Sequence, residues 1–222
     1  MKKLVFPALF LTTVLSCSVK PELRKDIAEF ISHFSLQGAL DEYKTGGYVS
    51  TTLEVEEEKT SKEVIEMDFS LTDVQHPTYV ETTTNYVNDE ITSVNEVKAV
   101  EDESGFYLST NGELKPTTID EIGELIIQFF YKQVDLDGNY HTQGFYYGDY
   151  LKEIAPMVQN LVTIDQTNEL YLYSYSATVK DDQMVATMSQ SYTVNKWGMM
   201  EENHILITAD QNSVQQDIIV HK

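Results

Sequence analysis

The chain has 222 residues, which is enough for one domain with a substantial hydrophobic core. Its fourteen tyrosines, nine phenylalanines and one tryptophan exclude an intrinsically disordered chain. Its formal net charge of −21 excludes the basic surface that nucleic-acid binding requires, and it disfavours close contact with anionic lipid headgroups. We therefore expect a folded, strongly acidic protein with no nucleic-acid partner.

The beginning of the chain has the layout of a secretory signal. Lys2 and Lys3 form a short positive start, and an apolar run extends from Leu4 to Leu15. This run is shorter than the roughly 20 apolar residues that a helix needs to cross a bilayer. The segment therefore predicts export across a membrane and removal of residues 1–16.

The residues at the end of the apolar run change the type of signal. Val14, Leu15, Ser16 and Cys17 resemble the lipobox of bacterial lipoproteins, in which the chain is cut before the cysteine and the cysteine sulfur carries a diacyl anchor. Cys17 is the only cysteine, so it has no intramolecular disulfide partner. Two acyl chains would hold the protein stably at a membrane, with residues 17–21 as a short tether. The expected location is the extracytoplasmic face of the cell membrane; the alternative is an ordinary signal that is cut elsewhere.

The body of the protein, residues 22–222, is expected to form one domain that begins with a helix. Apolar side chains recur at helical spacing through residues 22–44. Gly38 is expected to kink this helix, and Gly46 and Gly47 are expected to end it. The helix has one apolar face with which it can cover a sheet.

A long antiparallel β region is predicted next. Apolar and polar residues alternate along residues 49–57, and again along residues 65–71 after a turn at residues 59–61. Three further strands are predicted at residues 78–87, 91–100 and 106–108, with turns at Asn88-Asp89 and Asn111-Gly112. Such short connections indicate a meander with one apolar face and one solvated face.

The hydrophobic period then returns to that of a helix. Thr118 and Glu121 have the spacing of a capping box, and Ile126, Phe129 and Phe130 lie on the apolar stripe of the helix that follows. The remaining predicted elements are a third helix at residues 149–161, bent at Pro156, and four strands at residues 170–179, 184–194, 203–209 and 214–220.

The order of one helix, five strands, two helices and four strands is similar to that of the LolA-like and LppX-like lipoprotein carriers. The lipobox and the tract from Ala39 to Tyr48, which leads into the first strand, add to this resemblance. The resemblance implies an α+β fold, a curved antiparallel half-barrel of about eight or nine strands with three helices on its concave face. Members of that group bind acyl chains or lipoproteins in an apolar cavity between sheet and helices.

The resemblance places a ligand site between the helices and the sheet. The side chains predicted to line it are Phe30, Phe34, Met67, Phe69, Ile126, Phe129 and Phe130. The same side chains are the ordinary material of a hydrophobic core, and the sequence alone favours plain core for most of them. The predicted function is that of a membrane-anchored lipoprotein that binds or carries a lipid or an acyl chain.

The tyrosines supply an alternative function. Tyr171, Tyr173 and Tyr175 share one face of a predicted strand, and Tyr146 and Tyr147 lie in a predicted loop. Tyrosines at a sheet surface keep their hydroxyl groups in water and offer a large contact area to a partner. The alternative is therefore a surface adhesion or scaffold lipoprotein that acts through an acidic, tyrosine-bearing exterior and has no ligand cavity. The sequence names no protein partner.

The sequence carries no motif that predicts catalysis. Its five histidines show no metal-ligand spacing, and no nucleophile elbow, P-loop or dinucleotide-binding glycine pattern occurs. The acidic turn from Asp135 to Asn139 departs from the EF-hand pattern, because Gly138 comes two residues early. A calcium site is the weaker interpretation of this turn. We expect no enzyme, no metal site and no cofactor.

Overall fold

The computed structural model describes residues 22–57, 59–131, 144–180, 185–210 and 212–222. The lipobox with Cys17 and the predicted tether lie outside the described residues, and so does the acidic turn from Asp135 to Asn139. Acylation and calcium binding therefore stay predictions. The described part consists of a large antiparallel sheet that is not closed, together with α-helices that pack against it.

The strands of this sheet follow one another almost in chain order. The spatial order is β6-β5-β4-β3-β2-β1-β11-β10-β9-β8-β7, so the first and last strands lie side by side in the middle of the sheet. The bounds are β1 Thr45–Glu56, β2 Lys59–Ser70, β3 Thr78–Val87, β4 Glu90–Asp102, β5 Gly105–Thr110, β6 Glu113–Thr117, β7 Val162–Asp165, β8 Leu170–Lys180, β9 Val185–Asn195, β10 Met200–Ala209 and β11 Asn212–His221.

The predicted class of fold agrees with this architecture, but the predicted counts are wrong. The described residues form eleven strands and four α-helices, whereas about eight or nine strands and three helices were expected. The missed strands are the two sheet edges. β6 has five residues, one of them Pro116, and β7 has four residues. Segments this short show too few alternations for a period of two to be recognised.

The extra helix arises because the first predicted helix is divided. α1 spans Lys25–Ile31 and α2 spans Leu36–Glu42. Between them, the Ser35 backbone N–H donates to the Trp197 carbonyl at 3.1 Å, and the Ser35 hydroxyl accepts a hydrogen bond from the Gly38 N–H at 3.2 Å. Ser35 therefore caps α2. Its hydrogen bond to the Trp197 carbonyl takes the place of a helical hydrogen bond and interrupts the helix. The break lies before Gly38, and the chain is already in strand β1 at Gly46.

The second pair of helices follows the predicted pattern more closely. α3 spans Ile119–Phe130 and α4 spans Gly148–Val158, with one turn of 3₁₀ helix at Gln159–Leu161. α3 begins at the predicted capping box, in which Thr118 and Glu121 each bond the other's backbone N–H. This box satisfies two N–H groups that the first turn of a helix leaves without partners.

The hairpin turns show which turn predictions hold. Asn88 and Asp89 have φ angles of 51° and 66°, and Asn111 and Gly112 have φ angles of 51° and 88°, as two-residue hairpin turns require. The turn predicted at residues 59–61 is wrong, because these residues belong to β2.

Strand register identifies one face of the sheet, the inner face, that the helices cover. Tyr48 lies opposite Met67 and Val220, and both of these partners are buried. Side chains alternate along a strand, so Ser50 shares this face, and it is only 2% exposed. The apolar series that begins at Val49 lies on the other face and is half-buried. In β1 the hydrophobic alternation therefore does not mark the buried side.

The core lies between the inner face and the four helices of the described part. Its largest fully buried side chains include Tyr43, Phe130, Phe145 and Tyr171. Each large apolar side chain that folding removes from water stabilises the fold by about 1.5–3 kcal/mol. Burial of aromatic and aliphatic side chains therefore holds the helices on the sheet.

Candidate functional site

Six of the seven side chains predicted to line a ligand site are buried in this core. They are Phe34, Met67, Phe69, Ile126, Phe129 and Phe130, each 4% exposed or less. Phe30 is the exception, because it is half-buried and also lines an open cleft. The structure thus gathers the predicted residues around one interior and places Phe30 at its margin.

The interior is filled by contacts between aromatic rings. The ring centroid of Phe129 lies 4.8 Å from that of Phe69, 5.1 Å from that of Phe130 and 5.2 Å from that of Phe145. The interplanar angles of 61° to 84° are those of edge-to-face packing. These rings pack against one another, so they form part of the hydrophobic core in the described conformation.

An open cleft of about 530 Å³ lies where α1 meets the edge of the sheet; we call it the α1 cleft. Its apolar walls are Phe30 of α1, Ile164 of β7 and Trp197 of the turn between β9 and β10. This volume falls within the range of small-molecule sites, which are mostly apolar with a few polar groups. The α1 cleft is therefore the candidate functional site.

Asn195 organises the turn that carries Trp197. Its side-chain oxygen accepts hydrogen bonds from the backbone N–H groups of Trp197, at 3.0 Å, and Met199, at 3.2 Å. Its side-chain nitrogen donates to the Tyr43 hydroxyl at 3.1 Å and to the Glu201 carboxylate at 3.2 Å. Because Asn195 is only 6% exposed, these bonds are made away from water and fix the shape of the turn.

The indole ring of Trp197 lies against Gly38 of α2. A Cβ atom at Gly38 would lie 2.8 Å from Cζ3 of this ring, so the close approach requires glycine. The Lys196 ammonium lies 5.6 Å from the Trp197 ring centroid and donates to Glu169 at 2.6 Å. A cation at this distance from an indole ring is in the range of a cation–π contact. The α1 cleft therefore already contains one ammonium group beside its aromatic wall.

Carboxylates are the main charged groups of the α1 cleft. Asp26 pairs with Arg24, and the hydrogen bond from this guanidinium holds the pKa of Asp26 below its usual range. Glu169 pairs with Lys196. Glu29 also lines the cleft and has no ion-pair partner within the described ranges. The fixed charges that remain uncompensated there are therefore negative.

Arg24 also attaches the start of α1 to the chain that follows α4. Its guanidinium donates to the carbonyl groups of Gln159, at 2.9 Å, and Val162, at 3.0 Å. The Arg24 backbone N–H donates to the Gln159 side-chain oxygen at 2.8 Å, and the Gln159 side-chain nitrogen donates to the Glu22 carbonyl at 3.1 Å. These bonds hold the first described residues beside the edge strand β7.

Tyr171 lies behind Phe30 on the core side. Its ring centroid is 6.5 Å from that of Phe30 and 6.4 Å from that of Phe34. Tyr171 is 0% exposed, and its hydroxyl finds no hydrogen-bond partner in the described part of the chain. Burial raises the pKa of Tyr171, so the hydroxyl stays protonated. A buried hydroxyl without a partner costs about 1–3 kcal/mol.

The tyrosines of β8 that were predicted to form an exterior surface lie on the inner face. Tyr171, Tyr173 and Tyr175 share one face, as expected, but Tyr171 is fully buried. Tyr173 stacks on Tyr192 at 4.5 Å with an interplanar angle of 18°, and Tyr192 is only 7% exposed. The prediction of a solvated stripe is therefore wrong for Tyr171 and Tyr173, which continue the core, whereas Tyr175 is half-buried and lies outside the core cluster.

One polar row on the other face resembles a set of catalytic residues. His204 bonds Asp217 through Nδ1 at 2.7 Å and lies opposite Ser191 in the β9–β10 ladder. The backbone N–H groups of these strands are used in the ladder, so they are not free to stabilise an oxyanion. The Nε2 atom of His204 lies 3.7 Å from the Glu202 carboxylate, and the hydrogen bond described for His204 joins it to Asp217 and not to Ser191.

The described residues lack two features that would indicate a function. They contain no group of three or more histidine, cysteine, aspartate or glutamate side chains arranged to hold a metal ion. None of their helices has both the length and the apolar character needed to span a bilayer.

Sequence reasoning found Phe30 but missed the other wall of the α1 cleft. Asn195 and Gly198 enclose Lys196 and Trp197 in a tight turn, and Gly198 has a φ angle of 91°. The pattern of asparagine followed three residues later by glycine is a turn signal. It predicts the turn but not that the turn meets α1, which depends on the order of strands.

No protein-family model matches the chain, and no curated protein matches it. Among solved structures, the chain has a weak resemblance in fold to LprF from Mycobacterium bovis, a mycobacterial lipoprotein. The identity is 10%, the TM-score is 0.34, and the match covers 89% of this chain and 92% of that chain.

A second similar structure is a β-barrel-like protein of a domain of unknown function from Brucella abortus. Its identity is 7%, its TM-score is 0.23, and the match covers 79% of this chain and 96% of that chain. Similarities at these TM-scores describe a general likeness of architecture and say nothing about a ligand.

Proposed function

We propose that this protein is a membrane-anchored, extracytoplasmic lipoprotein that binds a lipid or another molecule with an acyl chain in the α1 cleft. The observation that carries the proposal is the aromatic wall of that cleft, formed by Phe30 and Trp197 next to a filled core. Binding requires no enzymatic chemistry, metal ion or cofactor.

The walls of the α1 cleft suit a hydrocarbon chain. Phe30, Ile164 and Trp197 present apolar surface at a site where Phe30 also contacts the core residues Phe34 and Tyr171. Removing apolar surface from water yields about 25 cal/mol per Å², so a chain that lies between these rings gains affinity from both sides. The filled interior makes this margin a better location for a ligand than the centre predicted from sequence.

The proposed anchor would place the α1 cleft close to the membrane. Glu22 follows Cys17 by five residues, which span at most about 18 Å when fully extended. Arg24 then fixes the chain beside β7, and Asp26 already lines the α1 cleft. A ligand could therefore pass between the bilayer and the cleft over a short distance.

Binding is tested with the acylated protein. Native mass spectrometry first records any co-purified lipid, and this lipid is then removed. Dodecyl maltoside, kept below its micelle concentration, is titrated while tryptophan fluorescence is recorded. Trp197 is the only tryptophan, so the signal reports on the α1 cleft directly. We expect a saturable blue shift of the emission. Absence of any shift, together with absence of co-purified lipid by native mass spectrometry, would contradict the proposal.

Phe30→Ala tests the location of binding. Loss of this half-buried ring should weaken binding of dodecyl maltoside about tenfold, since the contribution of a fully buried side chain is about 1.5–3 kcal/mol. Ile219→Ala is the matched control, because Ile219 lies on the other face of the sheet and is 50% exposed. Equal effects of the two substitutions would place binding outside the cleft.

Anchoring is tested separately in the host cell. Labelled fatty acid should enter the wild-type protein but not the Cys17→Ser variant, and this variant should leave the membrane fraction. If labelled fatty acid does not enter the wild-type protein and the Cys17→Ser variant stays equally membrane-bound, the anchor is wrong. Neither result depends on the α1 cleft.

The alternative of an exterior recognition surface has less support. It relies on solvated tyrosines, but Tyr171, which was expected to form part of that surface, is fully buried, and Tyr173 packs against the core. The α1 cleft offers a more specific arrangement of apolar and charged groups than this exterior.

A further inference from the structure

We propose that the α1 cleft selects amphiphiles whose head group is an amine or a quaternary ammonium. This inference rests on the proposed function, because it names the class of ligand for the same site. It is carried by the position of Lys196 and by the carboxylates around it.

The Lys196 side chain acts as an internal occupant of a cation site. Its ammonium lies 5.6 Å from the Trp197 ring centroid and 2.6 Å from a Glu169 carboxylate oxygen. Lysine is flexible, and its side chain is 42% exposed here, so it can leave without unfolding the turn. A ligand ammonium can then take the same two partners, one aromatic ring and one carboxylate.

Glu29 makes this exchange favourable. It lines the same cleft and has no ion-pair partner among the residues described. A second cation therefore meets a carboxylate that forms no ion pair with any described side chain. Glu29 would repel an anionic head group. The net charge of −21 on the whole chain would add to this repulsion.

The aromatic partner is held in place before the ligand arrives. Asn195 fixes the backbone of Trp197, and Gly38 allows the indole ring to pack against α2. A binding site that is already ordered loses less conformational entropy when a ligand binds. The acyl chain would lie against Phe30 and Ile164, as in the proposed function.

The test uses three probes that share a dodecyl chain and differ in head group: dodecyltrimethylammonium, dodecyl maltoside and dodecyl sulfate. Each is titrated below its micelle concentration into the full acylated protein, with Trp197 fluorescence and calorimetry as readouts and circular dichroism to verify folding. We expect the ammonium probe to bind about tenfold more tightly than the maltoside, in line with a cation–π contact supplemented by a nearby carboxylate. The sulfate should bind more weakly than the maltoside.

Two single-charge variants separate the cleft from the general acidity of the protein. Glu29→Gln should weaken binding of the ammonium probe about threefold and leave the maltoside unchanged, as expected for a partly exposed ion pair. Glu66→Gln removes the same charge from an exposed position in β2 outside the cleft, and it should change neither. Equal effects of both variants on the ammonium probe would overturn the inference.

Lys196→Met tests the exchange itself. Removing the internal cation should tighten binding of the ammonium probe several-fold, because the probe no longer competes for Trp197 and Glu169. If Lys196→Met instead weakens the ammonium probe, Lys196 does not compete with it and the inference is wrong.

The probe series distinguishes the two proposals. If the maltoside binds and the ammonium probe binds no better, the selectivity fails while the proposed function stands. If no probe changes Trp197 fluorescence and no lipid co-purifies, the proposed function fails as well.

Discussion

The interior between helices and sheet and the α1 cleft contain the same kinds of residue, but they differ in what covers them. In the interior, Phe129 contacts rings from β2, from α3 and from the segment that follows α3. At the α1 cleft, Phe30 and Trp197 come from a short helix and a turn, and they leave about 530 Å³ open.

In the interior, backbone pairing through Phe145 joins elements that cover the rings. The Phe145 N–H donates to the Phe129 carbonyl, and the Met200 N–H donates to the Phe145 carbonyl, each at 2.8 Å. This links α3 to the start of β10 and closes the interior. Aromatic content alone therefore does not distinguish a core from a binding site; the elements that close over it do.

The largest expected effect on stability comes from creating a cavity in the interior. Phe129→Ala should lower the free energy of unfolding by about 3–5 kcal/mol, as for other buried phenylalanines. Urea denaturation measures it. Phe30→Ala is the matched comparison and should cost clearly less, because Phe30 is half-buried. Equal losses would mean that both regions are core.

The next effect concerns the support of the cleft wall. Asn195→Ala removes the acceptor for two backbone N–H groups and the donor to Tyr43 and Glu201. We expect a loss of about 1–3 kcal/mol in stability and a red shift of Trp197 emission as the turn loosens. Asn85→Ala, which removes a single side-chain hydrogen bond to Ser93, is the control. A destabilised variant with unchanged emission would show that Asn195 does not position Trp197.

The sequence predicts the local part of this fold well. The strand expected at residues 78–87 has these bounds, and the capping box at Thr118 and the turn at Asn88-Asp89 are confirmed. These features depend on period-two alternation, on helix-end chemistry and on residues that tolerate positive φ, which all act over a few neighbours.

What the sequence misses is tertiary. The break at Ser35 depends on the Trp197 carbonyl, 162 positions later in the chain. Ser50 is buried because it lies on the inner face of the sheet, which the helices cover, and not because it is apolar. The α1 cleft combines Phe30 with the turn that carries Trp197. Periodicity identifies Phe30 as an apolar helix residue, but only the order of strands in the sheet brings this turn next to α1.

A smaller effect tests the boundary between the two regions. Tyr171→Phe removes a buried hydroxyl that has no partner among the described residues. We expect the variant to be as stable as the wild type or up to about 1 kcal/mol more stable, since the cost of the unpaired group disappears. Thermal or urea unfolding checks this. A loss of stability, or weaker binding of dodecyl maltoside, would show that the Tyr171 hydroxyl makes a stabilising hydrogen bond.

The smallest effect belongs to the face of the sheet that contributes to neither region. A hydrogen bond to Asp217 raises the pKa of His204 above its usual value, and burial opposes this shift. Because the folded pKa is raised, this pair stabilises the fold fully below the unfolded pKa of about 6.5, and the contribution is lost as pH rises through the folded value. His204 is 45% exposed, so solvent screening limits the contribution to about 0.2–1 kcal/mol.

The measurement is the difference between wild type and His204→Gln in unfolding free energy, compared between acidic and alkaline pH. The wild type should lose its small advantage as pH rises, whereas a histidine without an ion-pair role would give a constant difference. Binding in the α1 cleft should not change in this variant, since His204 does not line it. If His204→Gln alters the Trp197 titration, the two faces of the sheet are coupled, and the cleft cannot be treated as a local site.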